Sequence, residues 1–288
     1  MESIGDALKG IPNQQGISEK SYNQYSQKEW AEKMCQTMND TVGDLNEVDG
    51  YNCEACKNKG MIFYVSEEGR ETTRACRCMK IRKSIRRMKA SGLEHIISKC
   101  TFEKYEATED WQKQMKEKAM EFAKNVDSLE NKWFFIGGAI GSGKTHLCTA
   151  IVRELLHKGR EARYMLWMDE SAKLKASATD EAKRSAMIEA LKNVEVLYID
   201  DFFKIIKGKS GDELPPTAAD VKLAYEIINY RYNQPQLVTI ISSERHLAEI
   251  EEIDSAVGSR IYEKTKSNAC NIARKPERNY RMRDMQTI

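Results

Sequence analysis

One stretch constrains this chain more than any other: Gly138-Ala139-Ile140-Gly141-Ser142-Gly143-Lys144-Thr145 fits the pattern G-x-x-x-x-G-K-[ST] at every fixed position. The apolar run Trp133-Phe134-Phe135-Ile136 precedes it, and Leu147, Ile151, Leu155 and Leu156 recur at helical spacing after it. Strand, glycine-rich loop and helix in that order make a phosphate cradle. Glycines at 137, 138, 141 and 143 let backbone N–H groups turn inward on a polyphosphate, and the helix points its positive end at the same anion. Lys144 would reach the β- and γ-phosphates, and the Thr145 hydroxyl would hold Mg²⁺. A chance glycine-rich turn would lack the flanking strand and helix.

The second requirement of a nucleotide-hydrolysing site is a carboxylate near the metal and a group that orients water. Val196-Leu197-Tyr198-Ile199-Asp200-Asp201 supplies both at the end of an apolar strand. Asp200 would hold Mg²⁺ and Asp201 would polarise the attacking water; two acids there could instead cap a helix. A polar side chain ending a further strand is the next expectation, and Ser242 and Ser243 follow Thr239-Ile240-Ile241. Gly258-Ser259-Arg260-Ile261 then places an arginine on a helix, where a neighbouring subunit's site could use it. A lone helical arginine is otherwise a surface residue.

Strands and helices alternate through this half. Strands are expected at 133–136, 162–167, 194–199, 237–241 and 269–273. Helices are expected from the loop to 157, then at 169–176, 180–192, 217–233, 246–252 and 255–265. That alternation predicts a parallel sheet covered on both faces. A polar Gly/Lys/Pro-containing loop spans 204–216, and an earlier helix buries Trp111, Met115, Ala119, Phe122 and Val126.

The first third has another character. Cys53-x2-Cys56 is followed by Cys76-x-Cys78, with Met61 to Val65 and a polar turn around Gly69 between them. Four thiols on two turns predict a tetrahedral Zn²⁺ site on a hairpin too small to hold itself together by burial. Cys35, Cys100, Cys148 and Cys270 have no paired spacing and read as small buried thiols. Between Arg70 and Lys89 nine basic residues face one acid, although the whole chain carries only +2. Such a local excess attracts polyanions, or is a solvated basic helix. Residues 1–50 are polar, with Trp30, Met34, Met38 and Val42 at helical spacing. They read as a flexible tail with one amphipathic helix, which packs on the protein or docks on a partner. With 31% charged residues, a mean hydropathy of −0.64, no long apolar run and no signal-peptide pattern at Met1-Glu2-Ser3, a cytoplasmic protein without a membrane partner is expected.

Six ordered motifs now carry a family resemblance. Gly-Ser-Gly-Lys-Thr-His-Leu at 141–147, Ile-Asp-Asp at 199–201, Ile-Ile-Asn-Tyr-Arg-Tyr at 227–232, Thr-Ile-Ile-Ser-Ser-Glu at 239–244, Gly-Ser-Arg-Ile at 258–261 and Asn-Tyr-Arg at 279–281 resemble the AAA+ helicase loaders of the DnaC/DnaI type, in their phage and prophage versions. The similarity covers about 53–288, since the cysteine module, basic helix and Ser91-Gly92-Leu93 also occur in such loaders. It implies an α/β P-loop NTPase of the AAA+ kind: a three-layer sandwich on a central parallel sheet, with a reduced or absent C-terminal lid, because fifteen residues follow 273. The expected division is 1–45 as a helical helicase-binding segment, 46–98 as zinc module and basic linker, and 99–288 as the ATPase.

By the same resemblance, Gly138, Ala139, Ile140, Gly141, Ser142, Gly143, Lys144, Thr145 and His146 cradle ATP. Asp200 and Asp201 are the metal and water carboxylates, Ser243 or its neighbour Ser242 is sensor 1, Arg260 is the finger, and Arg281 serves as sensor 2. Two departures stand out: Asp201 where many AAA+ proteins have Glu, which implies slow turnover, and Glu244 where an asparagine is common. The implied function is to place a DnaB-type hexameric helicase on single-stranded DNA as an ATP-dependent homo-oligomer. Phe202, Phe203 and Lys204 are candidates for stacking and pairing with that strand, the two phenylalanines being core residues otherwise. A transposition helper of the IstB type and a zinc-dependent adaptor that scarcely hydrolyses ATP are the alternatives.

Overall fold

The computed structural model describes residues 26–88 and 99–282. The chain divides into two compact units, Met1–Met79 and Lys80–Ile288. The tract before Ser26 and the Ser91-Gly92-Leu93 motif lie outside the described residues.

In the first unit, helix α1 (Gln27–Asp40) opens on a reciprocal capping box between Ser26 and Glu29. It buries Ala31 and Cys35, with Trp30, Met34 and Met38 half-buried; Val42 lies beyond the helix and is 76% exposed. The helix is not a free tail. Asn39 donates to Phe63 O (2.8 Å) and accepts from Phe63 N (3.0 Å), while the Lys59 ammonium caps the carbonyls of Met38, Asn39 and Thr41. A short α2 (Leu45–Asp49) ends on Gly50 in the left-handed conformation. Strands β1 (Met61–Val65) and β2 (Glu71–Ala75) form the expected antiparallel hairpin, closed by a turn in which Gly69 has φ 75°.

Helix α3 (Cys78–Met88) carries the chain onward. Its Ile81 and Ile85 are buried, and Ser84 Oγ accepts from Ala162 N at 3.2 Å. Ala162 begins β4 (Ala162–Leu166), an edge strand, so α3 covers a sheet edge and belongs to the second unit from Lys80 on. The expected boundary at 98/99 therefore does not coincide with the division of the structure. Arg82, within the basic stretch 70–89 read as polyanion-attracting or solvated, is fully buried and fits neither reading.

The second unit is built on β3 (Trp133–Gly138), β4, β5 (Val196–Asp200), β8 (Val238–Ser243) and β9 (Ala269–Ile272). All are parallel, in the order β4-β5-β8-β3-β9. β3, β5 and β8 are buried along their whole length, as continuous apolar runs demand of central parallel strands. Side chains alternate between two faces. Trp133, Phe135, Leu197, Ile199 and Ile241 join one core with α6 (Trp167–Ala176), α7 (Glu181–Asn193), α8 (Ala218–Tyr232), α9 (Leu247–Ile253) and α10 (Ser255–Thr265). On the opposite face lies α5 (Lys144–His157), backed by α4 (Asp110–Asn125), whose Phe122 meets Phe134 at 5.1 Å between ring centres. The result is the expected three-layer α/β sandwich. Within the 204–216 loop, β6 (Ile206–Lys207) and β7 (Glu213–Leu214) pair as a small hairpin.

One fully buried cation anchors the second core. Arg231 on α8 donates to the carbonyls of Leu191, Lys192, Val194 and Val238 and to Thr239 Oγ1. It ties the end of α7 to the start of β8. Burial pulls the guanidinium pKa down to about 9, so it still stays charged at neutral pH. The Ile-Ile-Asn-Tyr-Arg-Tyr motif thus contributes a core fastening rather than a site group.

Candidate functional site

The parallel register delivers the site. Ile136 lies opposite Ser242 and Ile199 opposite Ile241, so the carboxyl ends of β3, β5 and β8 finish side by side. Ligands of open α/β sheets bind at this end, outside the strand termini. Here it forms a cavity of about 350 Å³, lined by the phosphate loop, Asp201, Lys204 and Glu244. That volume lies in the roughly 300–1,000 Å³ range of small-molecule sites.

The loop geometry explains its glycines. Gly143 caps α5 at φ 86°, and a Cβ there would stand 2.6 Å from the Tyr105 ring. Gly141 has φ 72°, and a Cβ would stand 1.9 Å from Asn279 Oδ1. Lys144 is 8% exposed, and its ammonium donates to Gly138 O (3.0 Å) and Ala139 O (2.6 Å). Burial lowers its pKa, opposed by the facing carboxylates of Glu244, Asp201 and Asp200. Thr145 Oγ1 lies 3.2 Å from Asp200 Oδ1, so a hydroxyl and a carboxylate stand together as a hard-cation donor pair. Asp200 Oδ2 also accepts from Tyr164 OH at 3.0 Å. Burial and that neighbouring charge push the Tyr164 phenol pKa up, keeping it a donor.

Of the two serines, it is Ser242 whose hydroxyl donates to Asp200. Ser243 donates instead to Phe202 O (2.6 Å) and accepts from Arg245 N (3.0 Å). Consecutive strand residues face opposite sides, so only one can point at the carboxylate. The sequence leaves Ser243 and Ser242 both open as sensor 1; the hydroxyl that meets the Asp200 carboxylate is that of Ser242.

Asp201 has φ 53° and lines the cavity, and its Oδ2 accepts from Lys204 Nζ at 2.6 Å. Lys204 also reaches Glu244 Oε1 at 3.2 Å. Burial alone would lower the Lys204 pKa, but these two partners lift it above the ordinary lysine value. Phe202 and Phe203, considered above as stacking surfaces, are buried against Trp167 and each other and are unavailable to a strand of DNA.

The other predicted residues are spread out. His146 lies beside the loop, with Nε2 2.8 Å from Thr101 O. Arg281 and Ile140 line the cavity. Arg260 does not. Its guanidinium sits 5.4 Å from the Tyr225 ring centre and 5.5 Å from that of Tyr232, and donates to Asn229 Oδ1 (3.1 Å) and Ala256 O (2.7 Å). Sequence reading missed the walls formed by distant segments. Tyr105 donates to Ser142 O (3.3 Å), and Tyr280 bonds Gly141 O through its N–H (3.1 Å) and Glu106 through its hydroxyl. The buried pair Phe102 and Tyr105, in an otherwise polar joint, was the available signal.

The sequence pattern of the bacterial DnaA ATPase domain matches residues 97–265, more than half of the chain. This chain belongs to that family of AAA+ ATPases. The phage-like element PBSX protein XkdC of Bacillus subtilis (strain 168) is 31% identical to this chain over 227 residues, 76% of this chain and 81% of XkdC. The replicative helicase loader DnaC of Buchnera aphidicola subsp. Baizongia pistaciae (strain Bp) is 28% identical over 156 residues, 52% of this chain and 61% of the loader. A crystal structure of the DnaC helicase loader aligns with 61% of this chain and 97% of its own, at 24% identity and a TM-score of 0.49.

A second cluster lies in the first unit. The sulfurs of Cys53, Cys56, Cys76 and Cys78 all lie within 4.8 Å of one another. Cys53 and Cys76 are 3.8 Å apart, and Cys56 and Cys78 are 3.5 Å apart. Zn–S bonds of about 2.3 Å put tetrahedral sulfurs roughly 3.8 Å apart, so the set fits zinc. The first turn is shaped for it, with Lys57 and Asn58 at positive φ and Asn58 Oδ1 accepting from Cys53 N at 2.8 Å. Burial would raise the Cys56 thiol pKa, but the Gly60 N–H and the neighbouring sulfurs bring it down to about 7, toward the thiolate a metal requires. Among the described residues no helix is long and apolar enough to cross a membrane.

Proposed function

We propose that this chain is an ATP-dependent loader that binds a DnaB-type hexameric replicative helicase and helps place it on single-stranded DNA. The observation that carries the ATP half is the meeting of Lys144, Thr145 and Asp201 at one cavity, with Asp200 bonded to Thr145, on a DnaA-family domain. The helicase half rests on kinship with proteins named as replicative helicase loaders.

Lys144 binds the β- and γ-phosphates, and the loop's N–H groups wrap the same oxygens. Thr145 and Asp200 would hold Mg²⁺, which supplies charge neutralisation between those phosphates. Tyr164 and Ser242 fix the Asp200 carboxylate. Asp201 orients the attacking water. Tyr105, Tyr280 and Arg281 line the same cavity. Arg260, away from its own cavity, serves the site of a neighbouring copy, which makes the working form an ATP-bridged oligomer. Residues 1–45 contact the helicase. Cys53, Cys56, Cys76 and Cys78 would hold Zn²⁺, a crosslink for the hairpin.

The test is native mass spectrometry of the full chain with candidate hexameric helicases, with and without a slowly hydrolysed ATP analogue. A joint complex whose stability depends on nucleotide is expected. Absence of any such complex, with a transposase captured instead, would overturn the loader reading.

A further inference from the structure

Beside the catalytic carboxylate lies a cation that the scheme above leaves without a task. We propose that Lys204 is a positioning residue that restrains Asp201, holding basal ATP hydrolysis below what the site could otherwise reach. The proposal rests on Asp201 being the water-orienting group. Three observations point to it.

First, Lys204 Nζ takes Asp201 Oδ2 at 2.6 Å and Glu244 Oε1 at 3.2 Å, and all three residues line the cavity that holds the phosphate loop. One of the two carboxylate oxygens able to accept a hydrogen bond from water is engaged by an ammonium. Second, the backbone around Asp201 is fixed. Asp201 (φ 53°) and Phe203 (φ 48°) occupy the left-handed region, a conformation that non-glycine residues keep only when their surroundings over-determine it.

Those surroundings are visible. Phe202 N donates to Ser242 O (2.9 Å), Ser243 Oγ and Arg245 Nε donate to the carbonyls of Phe202 and Phe203, and both rings are buried on Trp167. These contacts hold the backbone at Asp201 from several sides, and its more exposed partner is the Lys204 side chain, 37% exposed on a flexible four-carbon stem. Third, Glu244, which follows β8, gives Lys204 a second anchor, so the ammonium is held between the residues after two strands rather than resting on one acid. An exposed ion pair would matter little. This one is doubly bonded, and its acids are 27% and 11% exposed.

The experiment is steady-state ATP hydrolysis by the full chain as Lys204→Met, Lys204→Arg, Asp201→Asn and the Lys204→Met/Asp201→Asn double variant, with nucleotide affinity measured separately. Positioned acid–base groups contribute roughly 10²–10⁴-fold, and release of part of that through Lys204→Met should raise kcat about three- to tenfold. KM for ATP stays within about twofold, Lys204→Arg restores the slow rate, and the gain disappears when Asp201 is already Asn. A kcat unchanged or lowered in Lys204→Met, or a gain that survives Asp201→Asn, overturns the restraint. Lys204→Gln, with the melting temperature recorded, covers the case in which Met at a surface position disturbs folding. Equal turnover of wild type and Asp201→Asn would instead remove Asp201's catalytic role, and absence of hydrolysis in every variant would remove both readings.

Discussion

The cysteine hairpin and the sheet unit solve the same problem by opposite means. β1 and β2 leave most of their side chains exposed or half-exposed, and the buried cluster beneath them is three of the cysteines themselves with Tyr51, Cys53 and Ile62 around them. β3, β5 and β8 are buried throughout and are packed on both faces. A hairpin with so small a buried cluster suits a metal crosslink, on the zinc reading proposed above, whereas the sheet depends on area removed from water and on buried polar fastenings such as Arg231. On that reading the two fail differently: one by losing an ion, the other by losing a side chain.

Metal removal should be the largest effect. Structural zinc supplies roughly 10–16 kcal/mol in small metal-folded peptides. Chelation or Cys56→Ser should strip hydrogen-exchange protection from residues 61–65 and 71–75 while leaving β3 and β8 protected and ATP binding intact. Protection of the hairpin that persists without metal would erase the contrast. Next comes Arg231→Met, which leaves four carbonyls without their donor in the core. It should destabilise the sheet unit by about 3–4 kcal/mol in denaturant unfolding, with the hairpin unmoved. A loss under 1 kcal/mol would mean that water replaces the guanidinium.

Smaller effects separate the two serines. Ser242→Ala removes a partner of a metal carboxylate and should lower turnover roughly 10- to 100-fold with little loss of stability. Ser243→Ala should cost about 1 kcal/mol of stability and spare turnover. The reverse outcome would restore Ser243 as the sensor.

Much of this was legible beforehand because it is local. The phosphate loop is a contiguous string, Asp200 ends an apolar run, and two cysteine pairs announce their own geometry. What was hidden depends on register and on distant segments. Neighbouring serines differ in orientation, and the pairing of Ile199 with Ile241 decides between them. Tyr105 and Tyr280 reach the cavity from both ends of the domain, so no window of sequence contains them together. Arg82 belongs to the basic stretch and Arg231 to a family motif, and both are buried, because a charged residue's burial depends on partners that sequence does not display. Whether α1 packs on the protein or docks on a partner stayed open because its anchors, Lys59 and Phe63, lie in a later segment of the chain.

The most direct test of the shared ATP site is a mixing experiment with full-length Lys144→Ala and Arg260→Ala chains. Each variant alone should be inactive, the first for lack of ATP binding and the second for lack of a finger that is worth roughly 10³–10⁵-fold in related enzymes. Mixed in equal amounts, they should recover about one quarter of the wild-type rate, the share of head-to-tail pairs in which an intact loop meets an intact arginine. A mixture that stays inactive while wild type hydrolyses ATP, or an Arg260→Ala chain that is active by itself, would contradict a site completed by a neighbouring copy.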